Sequence, residues 1–116
     1  MRKPKFEIFT TNDGQFQFRL KAANGEPIMT GRAYDSKYGV MHAIAHVMKE
    51  AQEEIRFVRK ASANYKFFFQ LRSKSGRLIG WSQLYQTRQG RDNGIRAVQT
   101  AIKWGRVEDL TKLQIA

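Results

Sequence analysis

From Phe16 to Lys21 the chain reads FQFRLK, with Phe16, Phe18 and Leu20 alternating with Gln17, Arg19 and Lys21. A period of two predicts a half-buried strand. A preceding strand near Phe6 to Thr10 reaches it through Asn12, Asp13 and Gly14, whose Asp-Gly pair suits a tight hairpin. Ala23, Asn24 and Gly25 form a second turn signal, leading to a third strand near Ile28 to Tyr34. The spacing then lengthens: Val40, Ile44, Val47 and Ala51 fall on one helical stripe, with Ser36 placed to cap it.

The same pattern returns 51 positions later without a gap. Identical residues fall at Phe6/Phe57, Phe16/Phe67, Phe18/Phe69, Leu20/Leu71, Gly25/Gly76, Ile28/Ile79, Tyr34/Tyr85, Gly39/Gly90, Ile44/Ile95 and Val47/Val98. Nearly all are apolar or glycine, the residue of a duplicated supersecondary unit. Copy two therefore predicts strands near Ile55 to Lys60, Tyr65 to Arg72 and Leu78 to Tyr85. A helix follows, capped by Thr87 and striped by Ile95, Val98 and Ile102. One unit of about 50 residues buries too little apolar surface to stand comfortably alone. Gln52 to Glu54 is too short a link for separate beads. The expectation is α+β: tandem β-β-β-α(-β) repeats, about 5–54 and 55–116, fused into one domain. They would form one antiparallel sheet with two helices on one face and pseudo-twofold symmetry. Leu113 and Ile115 alternate within Leu110 to Ile115, which predicts a short closing strand.

KFEIF, GQFQFRLKAANGE and YDSKYGVMHAIAHV resemble the YegP-like family of small bacterial and archaeal tandem-repeat domains of unknown function. The resemblance covers nearly the whole chain, and LKAANGE, Leu20 to Glu26, is its most specific piece. It implies a β(3)-α-β unit, present as two subunits or as tandem copies, joined into one antiparallel sheet with C-terminal strands swapped. It carries over no catalytic residue and no ligand. Copy two departs from the phrase, reading LRSKSGR from Leu71 to Arg77 and adding Lys74 and Arg77.

Composition narrows the function classes. The 116 residues, 41% hydrophobic and 12% aromatic, are in the globular range. The absence of cysteine excludes disulfides, thiolate catalysis and cysteine-ligated zinc. No apolar run reaches the roughly 18 residues of a spanning helix. The start, MRKPKFEIF, lacks the apolar core and small-residue cleavage site of a secretory signal, so a cytoplasmic protein is expected.

Twenty-one Lys and Arg against ten Asp and Glu give a net charge of +11, which attracts polyanions. The excess is uneven. Residues 1–51 carry 8 basic and 5 acidic side chains, and residues 52–102 carry 10 and 3.

With Phe16, Phe18, Leu20 and their echoes beneath the helices, the other face would show Gln17, Arg19, Lys21, Phe68, Gln70 and Arg72. Arg56, Val58 and Lys60 would join if their parity matches. Cations with Gln and an exposed aromatic on an open sheet suit phosphate contact and base stacking. Polar occupancy is also the ordinary state of an uncovered sheet. KFFFQL lacks the glycines and element order of an RNA-recognition motif, which leaves Phe68 alone as a stacking candidate. Arg88 and Arg91 open the second helix, where positive charge is unfavourable, and Arg96 follows. The candidate nucleic-acid-binding set is thus Arg19, Lys21, Arg56, Lys60, Phe68, Gln70, Arg72, Lys74, Arg77, Arg88, Arg91 and Arg96.

His42, His46 and Glu50 recur at i, i+4 and i+8 but lie off the apolar stripe without a fourth ligand, and read as exposed polar residues. Trp81 shares parity with Ile79 and Tyr85, which suggests a buried or interface role. No nucleophile elbow, phosphate loop or dinucleotide fingerprint occurs, and Glu53 and Glu54 point apart. The expectation is a non-enzymatic protein without cofactor, monomeric or homodimeric. It would bind DNA or RNA non-specifically, or, as the alternative, dock an acidic protein surface or another copy of itself.

Overall fold

The computed structural model describes residues 3–112. Strands β1 (Lys5–Thr10), β2 (Phe16–Lys21) and β3 (Pro27–Gly31) lead into helix α1 (Lys37–Glu50). Strands β4 (Phe57–Ala61), β5 (Phe67–Arg72) and β6 (Leu78–Ser82) lead into helix α2 (Arg88–Ala101), and β7 (Val107–Asp109) closes the order. Three of the hairpins turn on glycine. Gly14, Gly25 and Gly76 sit at φ of 83°, 86° and 89°, the left-handed region where a side chain is costly. Both helices start as the sequence indicates: the Ser36 hydroxyl accepts the Gly39 N–H at 3.1 Å, and that of Thr87 accepts the Gly90 N–H at 2.9 Å.

The strands form one sheet in the order β4-β5-β6-β3-β2-β1-β7. The pseudo-twofold axis passes between β3 and β6, where Thr30 faces Trp81 and Gly31 faces Gly80. Six strands pair antiparallel, as expected. The seventh pairs parallel with β1, aligning Phe6 with Val107 and Ile8 with Asp109. The strand after the second helix thus completes the first repeat, and the exchange is one-sided. After α1 the chain turns through a short 3₁₀ segment, Glu54–Arg56, straight into β4. The strand expected over Leu113 and Ile115 lies outside the described residues.

Both helices lie on one face. Phe18, Leu20, Phe69 and Leu71 are fully buried there with Val40, Ile44 and Val47 of α1 and Ile95 and Val98 of α2. The duplication is visible in the packing itself. Phe6 meets Phe18 edge-to-face at 5.8 Å, and Phe57 meets Phe69 at 5.5 Å. Close approach is built with glycine: a Cβ on Gly31 would enter the Phe18 ring, and one on Gly94 would strike the Tyr85 hydroxyl. Among the described residues no helix is long and apolar enough to cross a membrane.

Candidate nucleic-acid interface

Register decides which side chains share the helix-free face. Glu7 pairs with Arg19, Arg19 with Thr30, Thr30 with Trp81, Trp81 with Gln70, and Gln70 with Val58. Directly paired residues point to the same side of a sheet. The row Glu7, Arg19, Thr30, Trp81, Gln70, Val58 therefore crosses the open face, with Phe9 and Gln17 on one flank and Lys60 and Phe68 on the other.

Trp81 corrects the sequence reading. It stands half-buried at the centre of the open face, on the pseudo-twofold axis, where copy one has Thr30. Parity with Ile79 misleads because the β5·β6 register shifts between Leu71 and Arg72. Such a bulge puts two successive residues on one side. Ile79 turns toward α1 while Trp81 turns away.

The two halves of the face differ in charge compensation. In copy one, Glu7 is 5% exposed and collects three cations: Arg19 Nε at 2.8 Å, Lys21 Nζ at 3.2 Å and Lys5 Nζ at 3.5 Å. Burial alone would push its carboxyl up, but hydrogen bonds from Arg19 and Lys21 outweigh it and hold the group below the ordinary carboxylate range. Arg19 also covers the Phe9 ring at 4.6 Å. In copy two the position of Glu7 is taken by Val58. Arg72, the counterpart of Lys21, bonds only neutral acceptors, Gln70 Oε1 at 2.9 Å and the Gly76 carbonyl at 2.9 Å. Lys60 is exposed beside Phe68, and Lys74 is exposed at the β5–β6 turn.

The remaining candidates lie elsewhere. Arg56 sits in the 3₁₀ turn, parts-buried against Glu50 at 3.2 Å and Glu53 at 2.7 Å, so it does not join the open face. Arg91 is 8% exposed. Its guanidinium lies over Phe67 and donates to the Lys60 carbonyl at 3.3 Å and to Asp92 at 3.2 Å, on the helix side of the sheet. Arg77, Arg88 and Arg96 are exposed on the helix side: Arg77 borders α1, Arg88 covers Phe67 at 5.1 Å, and Arg96 donates to Asn93 at 2.5 Å. The structure gathers Lys60, Phe68, Gln70 and Arg72 in the copy-two half of the open face, and Arg19 and Lys21 in the compensated half.

One further sequence reading changes. Glu50 is buried, between His46 at 3.5 Å and Arg56, where an exposed polar residue was expected. Tyr65, 87% exposed at the β4–β5 turn, holds φ 61° at the position of Gly14 in copy one. The signal for it in the sequence is the pairing of Gly14 with Tyr65 at the 51-residue offset.

The sequence pattern described as "Domain of unknown function (DUF1508)" matches residues 12–57 and again residues 62–108. The chain belongs to the DUF1508 family. Among DUF1508 relatives, the UPF0339 protein YegP of Escherichia coli strain K12 is 42% identical over 94 residues, 81% of this chain and 86% of that protein. A UPF0339 protein of Shewanella oneidensis is 37% identical over 106 residues, 91% of this chain and 96% of its own. The solution NMR structure of E. coli yegP, a protein of unknown function, superposes with a TM-score of 0.89 at 37% identity, covering 98% of each chain. The DUF1508 fold and its two repeats are thereby shown for this chain. The family is one of unknown function and assigns no chemistry to these residues.

Proposed function

We propose that the protein binds nucleic acid on the copy-two half of its open sheet face, through phosphate contacts from Lys60, Arg72 and Lys74 and base stacking on Phe68 and Trp81. The observation that carries this reading is the exchange of Glu7 for Val58 between otherwise parallel halves. In one half a single carboxylate is shared by three cations, whereas in the other Arg72 meets neutral acceptors and Lys60 and Lys74 are exposed, near two half-buried aromatic rings. Cationic tracks with aromatic platforms hold single strands with little sequence preference, because every base has a stacking face. Arg19 and Lys21 share Glu7, which offsets part of their charge on this face.

The test is fluorescence anisotropy of a labelled oligothymidine against nuclease-treated protein across a salt series. Three phosphate contacts on a single strand predict a log–log slope of about −2. Arg72→Ala lowers the magnitude of the slope, whereas Trp81→Ala weakens binding at an unchanged slope. Absence of binding at about 50 mM salt, where counterion release favours the complex most, would sink the proposal.

A further inference from the structure

At the opposite end of the sheet, two cavities adjoin. One, of about 430 Å³, is lined by Lys3, Lys5, Lys21, Arg106 and Glu7 with the small residues of the β2–β3 turn. The other, of about 330 Å³, is bounded by Pro4, Ala97, Thr100 and Trp104, and the two share Lys3, Ala22 and Ala23. Both volumes are of the order that holds small ligands. The first is cationic and the second is mostly apolar with one indole wall. We propose that together they form a site for a nucleoside diphosphate, the phosphates among Lys5, Lys21 and Arg106 and the base against Trp104.

Four observations converge. Glu7, 5% exposed, fixes the Lys5 and Lys21 ammonium groups at 3.5 Å and 3.2 Å, so the cations are held in place before any ligand arrives. Four cations face two carboxylates, Glu7 and the rim residue Glu108, which lies 3.2 Å from Lys5. Arg106 is placed at the mouth by its own backbone, whose carbonyl accepts the Phe6 N–H at 2.9 Å. Trp104 is 49% exposed, and Lys3 lies over its ring at 4.3 Å, bridging the cationic and aromatic parts. That cation–π contact ties the cationic part of the cleft to the aromatic one.

The internal duplication supplies a control. The positions equivalent to Lys3, Trp104 and Arg106 in the other half are Glu54, Glu53 and Ile55. Lys5 corresponds to Arg56, which is turned onto Glu50 and Glu53. The same place in the fold sets Glu53 and Glu54 against Arg56 and Arg72 in one copy and is cationic in the other, so the cleft is a property of these side chains and not of the repeat.

The test is amide and indole NMR of the full chain titrated separately with ADP, pyrophosphate and adenosine. ADP is expected to shift the Lys21 to Gly25 amides and the Trp104 indole N–H together, saturably. Trp104→Ala should weaken ADP by about five-fold or more while leaving pyrophosphate unchanged, as loss of one stacking contact requires. Arg106→Ala, which leaves the Glu7 cluster intact, should weaken both. Pyrophosphate binding as tightly as ADP with the indole unmoved, or no saturation by about 5 mM ADP, beyond any useful affinity, would overturn the proposal. Failure here is separable from failure of the sheet-face reading, because Trp104→Ala and Arg106→Ala leave oligothymidine binding unchanged if that reading holds.

Discussion

Writing the copy-one carboxylate into copy two tests the open face directly. Val58→Glu places a carboxyl opposite Gln70, as Glu7 stands opposite Arg19. In copy one that carboxyl reaches Lys21, whose counterpart is Arg72, at 3.2 Å. Arg72 would be drawn from its neutral acceptors into an ion pair, withdrawing one of three phosphate contacts. At a slope near −0.7 per contact on a single strand, one lost contact is worth about ten-fold in affinity at 50 mM salt, and the overall slope should fall from about −2 to about −1.4.

The assay is the same anisotropy titration at four or more salt concentrations. Net charge alone must be separated from position, so Gln89→Glu, an equal charge change on an exposed residue of α2 on the other side of the sheet, is the reference. Val58 is half-buried, and its replacement should cost about 1 kcal/mol of stability, which a thermal melt tracks independently. The reciprocal change, Glu7→Gln, should release Arg19 and Lys21 and steepen the slope. An unchanged slope in Val58→Glu, or an equal loss in Gln89→Glu, would refute the argument from compensation.

Other outcomes follow from single positions. Tyr65 holds a left-handed φ of 61° while 87% exposed, so Tyr65→Gly relieves backbone strain without losing packing and should raise stability by about 1 kcal/mol, read by denaturant titration. Gly31→Ala would force a methyl into the Phe18 ring and should destabilise by about 1–3 kcal/mol, seen as a lower urea midpoint at unchanged m. Asp109 is lowered to about 2, first by the Thr111 hydroxyl and then by Lys37 at 3.0 Å. A depressed carboxyl stabilises the fold above its unfolded value near 3.8 and loses that contribution as pH falls toward 2. Protection of the Leu110 amide, which donates to Ile8, should therefore persist at pH 5 and fade below about 3.8, and Asp109→Asn should remove that pH dependence.

The order of elements was legible because burial imposes period. Phe18, Leu20 and the Val40, Ile44, Val47 stripe are buried where alternation and helical spacing placed them, and the 51-residue echo gave the second copy without further argument. The strand at Val107–Asp109 was not legible. Two of its three residues are exposed, so it carries no alternation, and backbone pairing with β1 and the Lys37–Asp109 contact hold it. The scattering of the arginines was also hidden. Arg88, Arg91 and Arg96 share a helix with the core stripe and hence the covered side of the sheet, while Arg72 lies on the other side. Net charge sums both faces without distinguishing them.

The duplication itself explains why function would concentrate in one half. Most positions that face the helices interlock with a core common to both copies, so Phe6/Phe57, Phe18/Phe69 and Leu20/Leu71 are unchanged, down to matching edge-to-face ring pairs, although Ile8 becomes Arg59, paired to Asp92 of α2. Outward positions meet only solvent and each other. There Glu7 becomes Val58, Arg19 becomes Gln70 and Thr30 becomes Trp81. Glu7 becoming Val58 removes a carboxylate and Thr30 becoming Trp81 adds an aromatic surface, while Arg19 becoming Gln70 removes the cation that paired with Glu7. A twofold frame with a one-sided surface is thus what packing permits, and the sheet face is where the two copies of the repeat are free to differ.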